Sequence, residues 1–448
     1  MGGSSPATID FTWYYILALT IMVTVNLGVQ ANQLITAGSA KDEYTARFGF
    51  STGLYLKRFC TLLWGLFGLL AVLLYGRSIV DPDLAYGYAV LDLLGGVGMG
   101  LVGLMIACLL AALMSTADAL MITSSSLLTH NVFYVAFPNF KESSYILAGR
   151  LLGAVVLVVG CYVALQFESI FQQLKLTWEI TAAFSACFWV GMVWRRANRK
   201  AAWCSIVATL FFLFVLPLLL PALVPSLRTN AYTAKMTKPA PLERVYVAHE
   251  MDVLARQQEM REWEEQNSLG KAAGTRPVEL KAGEKYTRTY QLPKKSIFWT
   301  LGVKRNANGV LEGRGMFNVE LLLLSMAGWD LSSNSYALNE TIRVVLKILI
   351  PFGLLMLISL MTAPLDKNLL DKFFVKMKTP VLVDREADRR ELDLSYRAPG
   401  RFDHLKLFPN SNWEFMKWDR IDTIGMIVST FTTLVIIALL FVMVSFPS

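Results

Sequence analysis

Eight apolar runs, each about long enough to cross a bilayer, constrain this chain more than any other feature of its sequence. They fall at 12–31, 50–75, 97–126, 145–165, 174–194, 200–221, 341–363 and 423–446. About 20 apolar residues cross the hydrocarbon core as a helix. Backbone amides in lipid have no water to bond, so each run is predicted to be helical. The fold class expected is all-α, a polytopic membrane protein. Only 17% of residues are charged and 54% are hydrophobic, where a soluble chain carries about a quarter charged. The formal net charge of +8 is spread over loops between apolar runs, which fits membrane orientation and excludes a nucleic-acid partner.

The loop charges give one alternating topology. Arg195, Arg196, Arg199 and Lys200 mark an inside loop, and the 32–49, 127–144 and 364–422 loops fall on the same side. The 76–96 loop, with Arg77 against Asp81, Asp83 and Asp92, falls outside, as does the N-terminus. No basic n-region precedes the first run. Localisation is expected in the plasma (bacterial inner) membrane, multi-pass.

Five regions follow from this pattern. Residues 1–221 are a transmembrane region. Residues 222–316 are a polar insertion placed outside, with a charged helix near 243–266 and an Asn308-Gly309 turn. Residues 317–363 are an interfacial segment plus a span. Residues 364–422 are a basic inside loop, with Trp413 and Trp418 expected at the headgroups and Lys/Arg against anionic lipid. Residues 423–448 hold the last span.

Cys60, Cys108, Cys161, Cys187 and Cys204 lie inside apolar runs and read as buried free thiols rather than a disulfide framework. His130, His249 and His404 lack metal-ligand spacing, so zinc chemistry is not supported. No nucleophile–base pair or phosphate loop is present, and an enzyme is not expected. The glycines at 95, 96, 98 and 100 open a membrane helix with no preceding strand, and read as close helix packing or a helix break.

Segment 97–126 ends in a polar cluster that a lipid-facing span does not need. Ser115, Thr116 and Asp118 are followed by a Ser/Thr run from Thr123 to Ser126. Residues i and i+3 share a helix face, so Ser115 and Asp118 point at one volume. Hydroxyls, a carboxylate and carbonyls are hard oxygen ligands for an alkali cation. Back-bonding of the hydroxyls to their own i−4 carbonyls is the competing reading. An ionisable group inside a span is a functional candidate by default.

The stretch LAALMSTADALMITSSSLLTHNVF resembles the sodium-site helix of the sodium/solute symporter family. By that resemblance Ala112 (through its carbonyl), Ser115 and Thr116 match sodium-ligating positions. Asp118 stands where some relatives place a serine of a second cation site, which makes it a candidate for a second sodium ion or a proton. The run ending Asn32-Gln33, the Leu56-Lys57 pair in GLYLKRF, and FWVGMVWRRANRKAAW resemble further family helices in the same order. The arginine usual after Asn-Gln is absent; Leu34, Ile35 and Thr36 stand there. The resemblance covers roughly 12–221 and implies the second inverted repeat of a LeuT-type fold, with C-terminal extra helices, and binding at mid-membrane.

The implied activity is sodium-coupled symport of a small organic solute, with Na+, the solute and the bilayer as partners. The first-repeat half of the ion site has no counterpart here. That leaves missing N-terminal helices of a longer form, or another chain supplying them. A non-transporting sensor or scaffold on the same fold is the alternative.

Substrate candidates are Asn26, Gln30, Lys57 and Glu179. Asn26 and Gln30, four apart, share a face of one helix, where interhelical bonding is the competing use. Lys57 aligns with a substrate-contacting lysine of sugar-carrying relatives, or snorkels with Arg58 to the inner interface. Glu179 has Lys175 at i−4 as a candidate neutralising partner, although Lys before Glu is the less favoured order. The glutamine that sugar transporters of the family carry near here aligns with Leu174, so sugar specificity is not carried over.

Overall fold

The structure, a computed structural model, describes residues 12–75, 82–166, 170–238, 241–248, 250–268, 276–291, 294–306 and 309–445. The first ten residues, Arg77, Asp81, His249 and Asn308 lie outside the described residues. Two compact units divide the described chain: Thr12–Leu216 with Thr341–Phe441, and Pro217–Glu340.

The first unit opens with a broken span. α1 (Trp13–Leu27) and α2 (Ala31–Gly38) meet at 47°. The sequence suggests one helix over 12–31; the correction has a local cause. Gly28 caps α1 against the Trp189 ring, and a Cβ there would sit 2.7 Å from Cζ2. α3 (Glu43–Tyr75) follows, then α4 (Ala85–Gly95). The glycine-rich stretch is a helix break: Gly98, Met99 and Gly100 all have positive φ, a region only glycine enters cheaply. Nothing lies within 4 Å of a Cβ built on Gly98 or Gly100, so close packing is not its role.

α5 (Leu101–Leu128) continues through a π-helical turn at Thr129–Phe133 into α6 (Tyr134–Ala136), together a 36-residue apolar helix. α7 (Glu142–Ala164) packs along α5, where Gly153 meets the Met121 side chain. α8 (Ile170–Val193) carries fully buried Ala182, Ala183 and Ala186. Small residues let helix backbones approach closely in a medium that gives no hydrophobic drive between helices. α9 (Arg199–Leu210) is N-capped by the Asn198 side chain accepting from Ala201 N, and a second π turn leads into α10 (Leu216–Leu223).

The second unit starts with α11 (Ser226–Thr229) and strand β1 (Pro241–Val247). The charged helix α12 is Glu250–Ser268, shorter than expected at its start. LERVYV has the β-branched and aromatic content of a strand and pairs antiparallel with β2 (Lys285–Gln291), Val247 opposite Lys285. β3 (Val303–Arg305) and β4 (Leu311–Gly313) form a hairpin whose turn includes Gly309 at φ 75°. An aromatic stack of Tyr232, Phe298 and Phe317 with Trp299 edge-on fills the centre. In the segment 317–330, expected at the interface, helix α13 (Val319–Met326) buries Val319, Glu320 and Leu321 beside the fully buried Phe317, and leaves Leu323, Met326 and Trp329 exposed. The second compact unit runs on to Glu340.

α14 (Tyr336–Met361) is the seventh apolar run, with Pro351 inside it. It zips to the α9 region: Ser205 Oγ donates to the Pro351 carbonyl at 2.9 Å and Asn198 Nδ2 to Thr362 Oγ1 at 2.7 Å. Val190, Ala201 and Leu355 pack with Trp194 in this seam. The 364–422 loop is folded. α15 (Lys367–Lys378) and α16 (Arg385–Arg397) begin at the N-caps Asp366 and Asp384, whose carboxylates accept from backbone amides one to two residues into each helix. α17 (Arg420–Ser445) is the last span. Seven described helices are long and apolar enough to cross a membrane, and the bent α1–α2 pair makes eight. The protein is thus a polytopic, mostly helical membrane protein.

One expectation about burial needs correcting. The cysteines are free, but Cys60, Cys108, Cys161 and Cys204 are exposed and Cys187 is half-buried. Apolar sequence in a span satisfies lipid as well as protein core, so it does not predict burial. Trp413 stacks between Trp194 and Phe415, each at 5.6 Å, and Trp418 is exposed.

Candidate functional site

On α5, Ala112, Ser115 and Thr116 occupy i, i+3 and i+4 of an unbroken helix, which puts them on one face. Thr116 Oγ1 donates to the Ala112 carbonyl at 3.3 Å. This is the back-bond that competes with ion binding in the sequence reading. It also sets two oxygens at the spacing of neighbours around one hard cation, roughly 3.4 Å for ligand distances of about 2.4 Å. Ser115, Thr116 and Asp118 are all exposed. Neither the Ser115 hydroxyl nor the Asp118 carboxylate hydrogen-bonds to a described residue. No group of three or more His, Cys, Asp or Glu side chains gathers among the described residues. α5 thus presents an exposed strip of oxygens.

The substrate candidates are not brought together. Asn26 and Gln30 do not share a helix face, because the chain breaks between them. Asn26 is 1% exposed on α1. Its Nδ2 donates to the Trp178 carbonyl at 2.6 Å and its Oδ1 accepts from Ser185 Oγ at 2.8 Å. Both functions of the amide are thereby engaged with α8. Trp189 Nε1 adds a bond to the Val25 carbonyl at 2.8 Å. Three side chains therefore hold α1 to α8 just before the break. Gln30 sits in the break itself as the N-cap of α2, where its Oε1 accepts from Gln33 Nε2 at 2.8 Å. Lys57 is exposed on α3, without an ion-pair partner among the described residues.

Glu179 is buried on α8, and its carboxylate is not neutralised by Lys175. Lys347 Nζ on α14 donates to Glu179 Oε2 at 2.6 Å, with both side chains more than nine-tenths buried. The i−4 expectation fails because Lys before Glu is the poorer helical order and a neighbouring helix supplies a closer cation. Lys347 is the residue the sequence reading missed. The available signal was a lysine seven residues into the apolar run 341–363, an ionisable group of the kind that marks an intramembrane pair. Pro351, four residues on, supplies no N–H to the Lys347 carbonyl and marks the same turn as irregular.

A second set of charges closes one end of the same helices. Glu414, with 1% of its side chain exposed, receives Arg195, Lys378 and, at 2.9 Å, Lys406. Arg195 also reaches Asp371 at 2.6 Å and lies over the Phe374 ring. The backbones of 194–195 and 412–414 pair through Arg195 N to Asn412 O and Glu414 N to Val193 O. Burial alone would raise the Glu414 carboxyl; the hydrogen bonds from Lys378, Lys406 and Arg195 outweigh it and hold its pKa below the ordinary glutamate value. Burial likewise opposes the charge of Lys406, and its bonds to Asp403 and Glu414 overcome this and raise its pKa. This cluster ties the 195–200 loop to the 364–422 segment. The two lie on one side of the membrane, as the loop charges imply.

Comparison with known proteins agrees with this helix pattern. The sequence model of the sodium:solute symporter family matches residues 7–209. A Bos taurus protein named sodium/mannose cotransporter SLC5A10 is 29% identical over 231 residues, 46% of this chain and 38% of that protein. A Vibrio parahaemolyticus sodium/glucose cotransporter is 26% identical over 144 residues, 30% of this chain and 26% of that one. A Danio rerio sodium/glucose cotransporter 4 is 27% identical over 228 residues, 46% of this chain and 34% of that one. The chain spans well under two thirds of the length of these relatives. Lys347 and Glu414, which hold α8 from the C-terminal side, lie beyond the family match. Within it, the broken first span, the α5 strip and the α8 helix stand in one continuous stretch, and residues 7–209 are similar to the sodium:solute symporter family.

Proposed function

We propose that this chain takes part in sodium-coupled symport of a small organic solute, across the plasma membrane or its bacterial inner-membrane equivalent. The observation that carries the reading is the α5 strip: the Ala112 carbonyl and Thr116 hydroxyl 3.3 Å apart, with Ser115 on the same face, inside the family-matched segment. These three groups supply half of a coordination shell. Helices beyond this sequence, or a second chain, supply the other ligands.

In this reading sodium is a transported substrate. Binding it between α5 and the completing helices favours one of two bundle arrangements, and the solute shares that preference. A ligand shifts such an equilibrium only by its differential affinity for the two states. Asp118, three residues after Ser115 on the same helix, is the candidate for a second sodium ion or a proton. The break between α1 and α2 interrupts the helix within the first apolar run, and broken helices are where such proteins present backbone polar contacts to a solute. The names of the relatives make hexoses the first solutes to test.

The experiment is uptake into proteoliposomes by the complete transporter, with sodium replaced by choline as the control. Sodium-dependent uptake is expected, and Ser115→Ala with Thr116→Ala should raise the sodium concentration for half-maximal uptake at least tenfold. Unchanged sodium dependence in that double variant would remove the ion assignment. Uptake restored only on co-expression with a neighbouring membrane protein would assign the missing ligands to a second chain.

A further inference from the structure

We propose that α15 is an in-plane membrane-surface helix that docks on anionic lipid through one exposed stripe. The stripe is a juxtaposition of three apolar and two basic side chains. Leu369, Phe373 and Met377 are 59%, 48% and 42% exposed, at positions i, i+4 and i+8. At 100° per residue they fall within about 80° of one another, and Lys372 and Lys376 border them on one side. The opposite face of α15 is used internally. Phe374 and Val375 are buried, Asp371 holds Arg195, and Lys378 holds Glu414. The helix therefore cannot roll to hide its apolar stripe without breaking this cluster.

The position of α15 selects lipid as the occupant. Five residues separate it from Met361, the last residue of membrane helix α14, and five residues reach at most about 18 Å. Arg195, two residues past the end of membrane helix α8, is bonded directly to it. Both anchors sit where spans leave the hydrocarbon. A helix with bulky apolar residues on one face and lysines along its border is the composition that lies in a bilayer interface. The lysines are paired with no described carboxylate, which leaves them for lipid phosphates. This surface is independent of the symport reading, since it concerns residues outside the family match and needs no transport.

The test uses the full chain, with its five cysteines replaced by serine, reconstituted in nanodiscs containing phosphatidylglycerol. A nitroxide is attached singly through Leu369→Cys, Phe373→Cys, Met377→Cys or, as the control on α16, Glu386→Cys. The expected result is high accessibility to oxygen and low accessibility to a water-soluble nickel complex at 369, 373 and 377, with the reverse at 386. Water-like accessibility at all three stripe positions would overturn the proposal and would leave the stripe for a protein partner. A second arm measures partition of phosphatidylglycerol against phosphatidylcholine by the detergent-solubilised protein. Lys372→Gln with Lys376→Gln should weaken the preference for the anionic lipid roughly ten- to thirty-fold, and Arg389→Gln with Arg390→Gln should leave it unchanged. Equal effects of the two pairs would show general charge attraction and would also overturn the assignment. None of these readouts depends on uptake, so failure here is separable from failure of the symport reading.

Discussion

Removing one partner of the Glu179–Lys347 pair should destabilise the protein far more than removing both. The two side chains are 4% and 8% exposed and 2.6 Å apart, on helices α14 and α8. Lys347→Leu leaves the Glu179 carboxylate buried without its cation. Glu179→Leu leaves the ammonium without this carboxylate. Breaking a buried pair from one side costs about 3–5 kcal/mol, and replacing the whole pair with apolar residues of similar size is often near neutral. A charged residue at the centre of a span costs a similar ~2.5–3.5 kcal/mol on insertion scales. Each single variant is therefore expected to lose about 3 kcal/mol and the double Leu variant less than either. The cycle then gives a coupling energy of several kcal/mol, well above the ~0.5 kcal/mol at which distant sites add. Equilibrium unfolding in mixed detergent–SDS micelles, with Trp fluorescence as readout, measures all four corners. A double variant whose loss equals the sum of the singles would refute the reasoning, because it would mean the pair is solvated in the folded protein.

Three further outcomes follow from the same geometry. Gly28→Ala places a Cβ 2.7 Å from the Trp189 ring, which its bond to Val25 holds in place; a loss of about 1–3 kcal/mol is expected in the same unfolding assay, with partial recovery in Gly28→Ala/Trp189→Phe. Trp413→Ala removes stacking on Trp194 and Phe415 and should cost about 2 kcal/mol, read as faster proteolysis within 364–422 while α14 and α17 stay intact. The Glu414 carboxyl has its pKa lowered by folding. Its contribution is thus fully present above the ordinary glutamate value, near 4.5, and is lost as pH falls through the lower folded value. Protease protection of 364–422 should therefore hold at neutral pH and fail in acid, and Glu414→Gln should lose protection already at neutral pH.

The apolar runs were legible because hydrocarbon admits only helices there, so length and composition alone fix their number and type. The order of family motifs, from Asn32-Gln33 through Ser115-Thr116 to the Arg195-Arg196 helix end, was likewise readable residue by residue. Glu179 was visible as a buried charge, but not its partner: Lys347 is 168 residues away, and only packing of α14 on α8 brings it near. Asn26 and Gln30 read as one face until the break at Gly28, where the Trp189 ring of another helix packs too close for a Cβ. Cysteine burial failed for a different reason, since an apolar run is equally content against lipid and against protein.

The polar segments divide in the same way. Sequence marked 364–422 as basic and aromatic, yet Trp413 went into a stack and Glu414 into a three-cation cage because the 194–195 backbone pairs with 412–414. The strand at Pro241–Val247 was hidden inside a charged stretch whose pairing partner lies some forty residues on. Membrane helices are decided locally, by a solvent that leaves the backbone one choice. Ion pairs, helix breaks and the face that α15 leaves exposed are decided by which helices meet, and that is a property of the folded bundle alone.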